Sequence, residues 1–146
     1  MTSIHQSLGY WVSLISRSME AEFSRRLAPH GLTRMSYAVL GAMVFDKQST
    51  PSDVADFLGL DRGAASRLLD KLEVQGLIRR DRDRSDRRSV SIRVTSRGET
   101  LAHEMQVQSR VVNDMFTAAL TPDQAAEFIE MAKAMVARSE ARPNSL

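Results

Sequence analysis

The sequence predicts a mostly helical chain with one small β-hairpin, a winged helix-turn-helix whose N- and C-terminal helices form a dimerisation lobe. Three observations predict it. Two short helical patterns meet across Gly59, Leu60 and Asp61 alone, the brief turn that such a motif requires. A period-two run comes soon after, in which Val90, Ile92 and Val94 alternate with Ser89, Ser91 and Arg93. Between that run and the preceding strand lies DRDRSDRR, residues 81–88, a dense charged loop.

The bulk numbers agree with one domain that meets a polyanion at one place. A chain of 146 residues can bury a sizeable core. The net charge of +2 conceals an asymmetry. From Arg62 to Arg97 there are eleven Lys/Arg against five Asp/Glu, while the other residues carry nine against thirteen. A basic segment on an acidic body is the charge pattern of a local nucleic-acid contact. The absence of cysteine excludes disulfides, thiolate metal sites and thiol redox sensing. The N-terminus, MTSIHQSLGYWV, does not read as a signal peptide, and no run approaches the ~18 apolar residues of a membrane span. The expectation is a soluble cytoplasmic protein, nucleoid-associated when bound to DNA, with no membrane contact and no cofactor.

Ile4, Leu8, Trp11, Ile15, Met19, Phe23 and Leu27 recur at spacings of three and four, which predicts one amphipathic helix of about seven turns. Val12 and Leu14 widen its stripe, and Pro29, His30 and Gly31 end it. That is more apolar length than a small domain needs, so the surplus is expected to bury against another chain. Thr33 caps the second helix, whose inner side is Met35, Val39, Leu40, Met43 and Val44. Thr50 caps the third, with Pro51 at its first position, Val54, Ala55 and Leu58 facing inward, and Gly59 placed to stop it in a left-handed conformation.

Asp61 caps the fourth helix. At about 100° per residue, Ala65, Leu68, Leu69 and Leu72 fall on one side, and Gly63, Ser66, Arg67 and Asp70 on the other. Small residues and one Arg on an outer face allow close approach to base edges and phosphates. Gly76 closes this helix, and Leu77–Arg80 forms the first wing strand. Alternating Asp and Arg in the wing loop can hold guanidinium groups ready by paired hydrogen bonds, suited to a narrow minor groove. Thr95 caps a fifth helix to about Ala119, with Leu101, Met105, Val112, Met115, Phe116 and Ala119 as its stripe. Thr121–Gln124 is a capping box for a last helix reaching about Ser139, with Ala125, Phe128, Ile129, Ala132, Met135 and Val136 expected to be buried. Glu140–Leu146 is expected to fray.

Three runs in order resemble the MarR family of bacterial transcription regulators: HGLT at His30–Thr33, LGLDRGAASRLLDKLEVQGLI at Leu58–Ile78, and DRSDRRSVSIRVTSRG at Asp83–Gly98. The resemblance implies a single domain over 1–146, with dimerisation helices at 1–30 and 99–140 and a DNA-binding lobe at 33–97. It implies a homodimer on a pseudo-palindromic double-stranded operator, acting as a ligand-responsive repressor. Arg88 would enter the minor groove, oriented by Asp86, with Arg82, Arg84 and Arg87 beside it. Arg67 and Ser66 would sit in the major groove, Arg62 and Gly63 near the backbone, and Ser52 against a phosphate. Family pockets lie between the dimer helices and the DNA lobe, which makes Trp11, Arg17, His30, Met35 and Tyr37 candidates for a small aromatic or phenolic effector. Departures are Arg84, where relatives often carry Pro, and Ala64 and Ala65, where they often carry Ser or Thr, so direct base readout is expected to be thin.

An enzyme is not expected. His5, His30 and His103 are scattered, and no nucleophile set, metal cluster or phosphate loop is spelled out. The alternative reading is a winged helix that binds protein or RNA without operator DNA.

Overall fold

The computed structural model describes residues 3–82 and 90–139. Its helices are α1 (Leu8–Leu27), α2 (Arg34–Val44), α3 (Pro51–Leu58), α4 (Arg62–Val74), α5 (Ser96–Thr117) and α6 (Pro122–Val136). Strands β1 (Ile78–Arg82) and β2 (Val90–Val94) lie between α4 and α5, and single 3-10 turns cover Ile4–Gln6 and Ala28–His30.

The first helix is shorter than its periodicity suggested. Ile4–Gln6 is a separate 3-10 turn, Ser7 is extended at φ −82°, ψ 126°, and α1 starts at Leu8. The Trp11 indole donates to the His5 carbonyl at 2.7 Å, giving that carbonyl a partner beside the break. The far end is as expected: a 3-10 turn through Pro29, then Gly31 at φ 69°. The left-handed backbone favours glycine there, and a side chain would also displace the Gln75 side-chain amide, whose nitrogen would lie 2.6 Å from its Cβ.

The remaining helix starts follow the expected caps. Thr33 accepts from the Ser36 amide at 3.2 Å while Ser36 Oγ accepts from the Thr33 amide at 2.8 Å. Thr50 serves Asp53, Asp61 serves Ala64, Thr95 serves Gly98, and Thr121 serves Gln124. Each such bond satisfies an amide that the helix itself leaves unpaired, and is worth ~1 kcal/mol.

The core is built around α2, which packs on α1, α3, α4 and α5. It buries Ser36 and every residue from Val39 to Val44, so it is enclosed on nearly all sides rather than along one stripe. Leu40 of α2 is fully buried, and so are Leu27, Leu69, Leu72, Leu77 and Ile78 around it.

The hairpin is antiparallel, from Ile78 opposite Val94 to Arg82 opposite Val90. Its first strand starts one residue later than expected and continues through Arg82. Ile92 is buried, and its amide donates to the Ser49 carbonyl at 2.8 Å, which ties the hairpin to the loop before α3. The start of α5 is pressed onto the start of β1. The Thr95 hydroxyl donates to the Gly76 carbonyl at 2.8 Å, and its amide donates to the Leu77 carbonyl at 3.0 Å. A Cβ at Gly98 would fall 2.1 Å from that carbonyl oxygen.

The terminal helices differ from expectation. α5 buries Leu101, Ala102, Met105 and Val112, but Met115 is 52% exposed and Phe116 only half-buried. α6 ends at Val136 and buries no residue at all. Phe128, Ile129, Met135 and Val136, expected inside, are exposed, and Ala125 and Ala132 are half-buried. The amphipathic stripe exists, but this chain supplies no layer to cover it. Periodicity reports that a face is apolar, not which chain buries it. The expectation for Glu140–Leu146 lies outside the described residues.

Candidate nucleic-acid interface

The turn between α3 and α4 sets the reading helix. Gly59 adopts φ 67°, which lets the Leu60 amide reach back to the Ala55 carbonyl at 2.9 Å and ends α3 within one residue. Asp61 then starts α4 at once. The inner side of α4, Ala65, Leu69 and Leu72, is locked in the core, with Leu68 half-buried beside them. Gly63, Ser66, Arg67 and Asp70 face solvent, as their spacing predicted, and so does Arg62. Ser52 is exposed in the first turn of α3.

Gly63 has a local role. A Cβ there would lie 3.1 Å from the capping oxygen of Asp61 and 3.5 Å from the Arg67 guanidinium. The Arg67 guanidinium thus lies over the first turn of α4, above the space that the missing side chain leaves open. With half-buried Ala64, this leaves a low helix start flanked by Arg62 and Arg67, a shape that admits a close-approaching phosphate or base edge.

Among its described residues, the hairpin carries three ion pairs that sequence reading did not single out. Arg93 Nε contacts Asp81 Oδ2 at 2.9 Å across the strands, and offsets the like charge of Arg79, which stands directly opposite Arg93. Arg80 turns the other way and binds α4 through Asp70 and Glu73. Strand alternation could have separated Arg79 from Arg80, but it could not show which acids lay within reach. The side chain of Arg82 and residues 83–89, hence Arg84, Asp86, Arg87 and Arg88, lie outside the described residues.

The five effector candidates are not brought together within one chain. A cavity of about 520 Å³ lies between the 3-10 turn at 28–30 and the start of α5, lined by Pro29, His30, Ser96, Arg97, Thr100, Leu101 and Glu104. Only His30 of the candidates lines it. Trp11 is exposed on α1, and Arg17 donates to the Ser13 carbonyl at 3.3 Å. Met35 and Tyr37 are half-buried on α2, Tyr37 edge-on to Phe23 with ring centroids 5.3 Å apart. Burial raises the Tyr37 phenol above its ordinary pKa. Among the described residues no group of His, Asp or Glu is placed to hold a metal ion, and no helix is long and apolar enough to cross a membrane.

The sequence pattern of the MarR family matches residues 30–89, which take in α2, the helix-turn-helix, β1 and the charged loop up to β2. The chain is 32% identical to the transcriptional regulator TtmR of Methylorubrum extorquens over 77% of its own length, and spans 58% of that protein. It is 25% identical to the multiple antibiotic resistance protein MarR of Escherichia coli, over 82% of this chain and 83% of that one. Its fold superposes on MepR of S. aureus, solved as a DNA complex, with a TM-score of 0.77 at 21% identity, covering 91% of this chain and 98% of MepR. The family pattern spans the same turn and reading helix that the geometry singles out, and the chain is similar to MarR-family regulators over most of its length.

Proposed function

We propose that this protein is a transcription regulator that binds double-stranded DNA as a homodimer. The observation that carries the reading is the two-sided α4. Its inner side is fixed in the core while Arg62, Gly63, Ser66 and Arg67 stand free at its N-terminal half. A helix held this way can enter a major groove without first ordering itself. Ser52 supplies a phosphate contact from α3. Arg82, Arg84, Arg87 and Arg88 of the wing reach the adjacent minor groove, with Asp86 orienting Arg88.

Residues 33–97 are the reading lobe, and 1–30 with 99–140 join two copies. The exposed apolar faces of α1, α5 and α6 support that division. A symmetric pair reads a pseudo-palindrome with half-sites about one helical turn apart. The protein acts as a cytoplasmic repressor without catalytic activity. A small aromatic acid binding where the two lobes join shifts their spacing and weakens the complex, through unequal affinity for two spacings. The cavity beside His30 and Arg97 supports a site at that joint.

The test is selection of bound duplexes from a random pool, followed by salt titration of the winning sequence. Binding through several phosphates falls steeply as salt rises. A protein that recovers no duplex, or whose binding ignores salt, does not read DNA and instead favours the protein- or RNA-binding alternative.

A further inference from the structure

Asp70 and Glu73 continue the outward stripe of α4 beyond Ser66 and Arg67. Two carboxylates on a surface offered to DNA are a liability, since duplex DNA presents one negative charge per roughly 1.7 Å of axis. The structure sets a single guanidinium against both. Arg80 Nη1 is paired with Asp70 Oδ1 and lies 3.2 Å from Glu73 Oε2. Its Nη2 donates to the Ser66 carbonyl at 3.3 Å, and its backbone amide donates to Glu73 Oε1 at 3.0 Å. One residue of β1 therefore grips α4 at positions 66, 70 and 73. The Arg80 side chain is only 23% exposed, against 77% for Arg93 in the same hairpin.

We propose that Arg80 is a positioning residue for DNA reading, which locks the wing to the reading helix and offsets part of the charge of the Asp70 and Glu73 carboxylates on the face turned toward DNA. This rests on the DNA-binding function proposed above. Arg80 is not a phosphate contact, because its donors are already directed at α4. The planar fork of arginine is required, since spanning a carboxylate pair and a carbonyl at once needs several donors in fixed directions. Lysine would keep the charge and lose the grip.

The experiment uses the full chain and two duplexes of equal length, one recovered from a random pool by the wild-type protein and one unrelated. Arg80→Ala should weaken binding of the recovered duplex by about tenfold or more at low salt, and the deficit should shrink as salt screens the exposed carboxylates. Adding Asp70→Asn to Arg80→Ala should recover a large part of the loss, while Asp70→Asn alone should bind as tightly as wild type or tighter. Arg80→Lys should hold binding to the unrelated duplex and lower the preference for the recovered one. A deficit that is the same at every salt concentration and untouched by Asp70→Asn would reduce Arg80 to a brace and overturn the proposal. If Arg80→Ala fails to fold, Arg80→Lys decides, and wild-type preference in that variant overturns the proposal as well. A wild-type protein that recovers no duplex removes the DNA-binding reading and this inference with it. Wild-type binding with silent Arg80 variants removes this inference alone.

Discussion

The reading lobe and the terminal helices are built from the same amphipathic pattern and meet different fates. In the lobe, α2, α3, α4 and the hairpin close over Leu40, Leu69, Leu72, Leu77 and Ile78 until almost no large apolar side chain is left out. Val74 is its one exposed large apolar side chain among the described residues. All the others stand at positions 4–15 and 107–136, on the N-terminal turn, α1, the far half of α5, the α5–α6 turn and α6. Patches of that extent are seldom left in water, because apolar surface is worth ~25 cal/mol per Å² when buried. The lobe closes its core with Leu27 of α1 and Leu101, Ala102 and Met105 of α5; the remaining apolar faces of the terminal helices have no cover within this chain, and the proposed second copy would supply it.

This contrast can be broken or sharpened by substitution. The largest effect is expected from Gly98→Ala, whose Cβ would sit 2.1 Å from a backbone oxygen that cannot move without opening the hairpin. A loss of about 5 kcal/mol or more in urea unfolding is expected, independent of protein concentration. Leu69→Ala, at a fully buried site in the lobe, should cost roughly 2–5 kcal/mol in the same measurement, again without concentration dependence.

The joint substitution Phe128→Asp, Ile129→Asp should behave in the opposite way. Both side chains are exposed in the single chain, so the secondary structure of the lobe should survive. Self-association measured by sedimentation velocity should weaken by at least ~2 kcal/mol, with DNA affinity falling alongside. Arg67→Ala, and separately Arg88→Ala, should each weaken operator binding by at least ~1 kcal/mol in gel-shift titration while leaving dimerisation unchanged. The smallest effect is expected at a cap. Thr33→Ala removes the acceptor for the Ser36 amide and should lower thermal stability by ~1 kcal/mol.

Local chemistry made most of this fold legible. The caps at Thr33, Thr50, Asp61, Thr95 and Thr121 and the stops at Gly31, Gly59 and Gly76 depend on neighbours in sequence, and a sequence shows its own neighbours. The two sides of α4 were legible because 100° per residue is fixed by helix geometry. What could not be read depends on distant partners. The break at Ser7 is accompanied by the Trp11–His5 bond, an interaction the hydrophobic stripe does not encode. The grip of Arg80 on α4 needs the hairpin docked before any acid comes within reach. The steric demand for Gly98 arises only where α5 meets β1. The face of α6 is exposed in the single chain although its periodicity reads as buried, because an apolar stripe does not say what covers it.

The central claim is that two copies of this chain together read one duplex. Sedimentation equilibrium of the 16.3 kDa chain, alone and with a duplex selected from a random pool, tests it most directly. Two chains in the free protein and two per bound duplex, with affinity dropping steeply as salt is raised, is the predicted result. A chain that sediments as a monomer at working concentration, or that leaves the duplex unbound in dilute buffer, would contradict it.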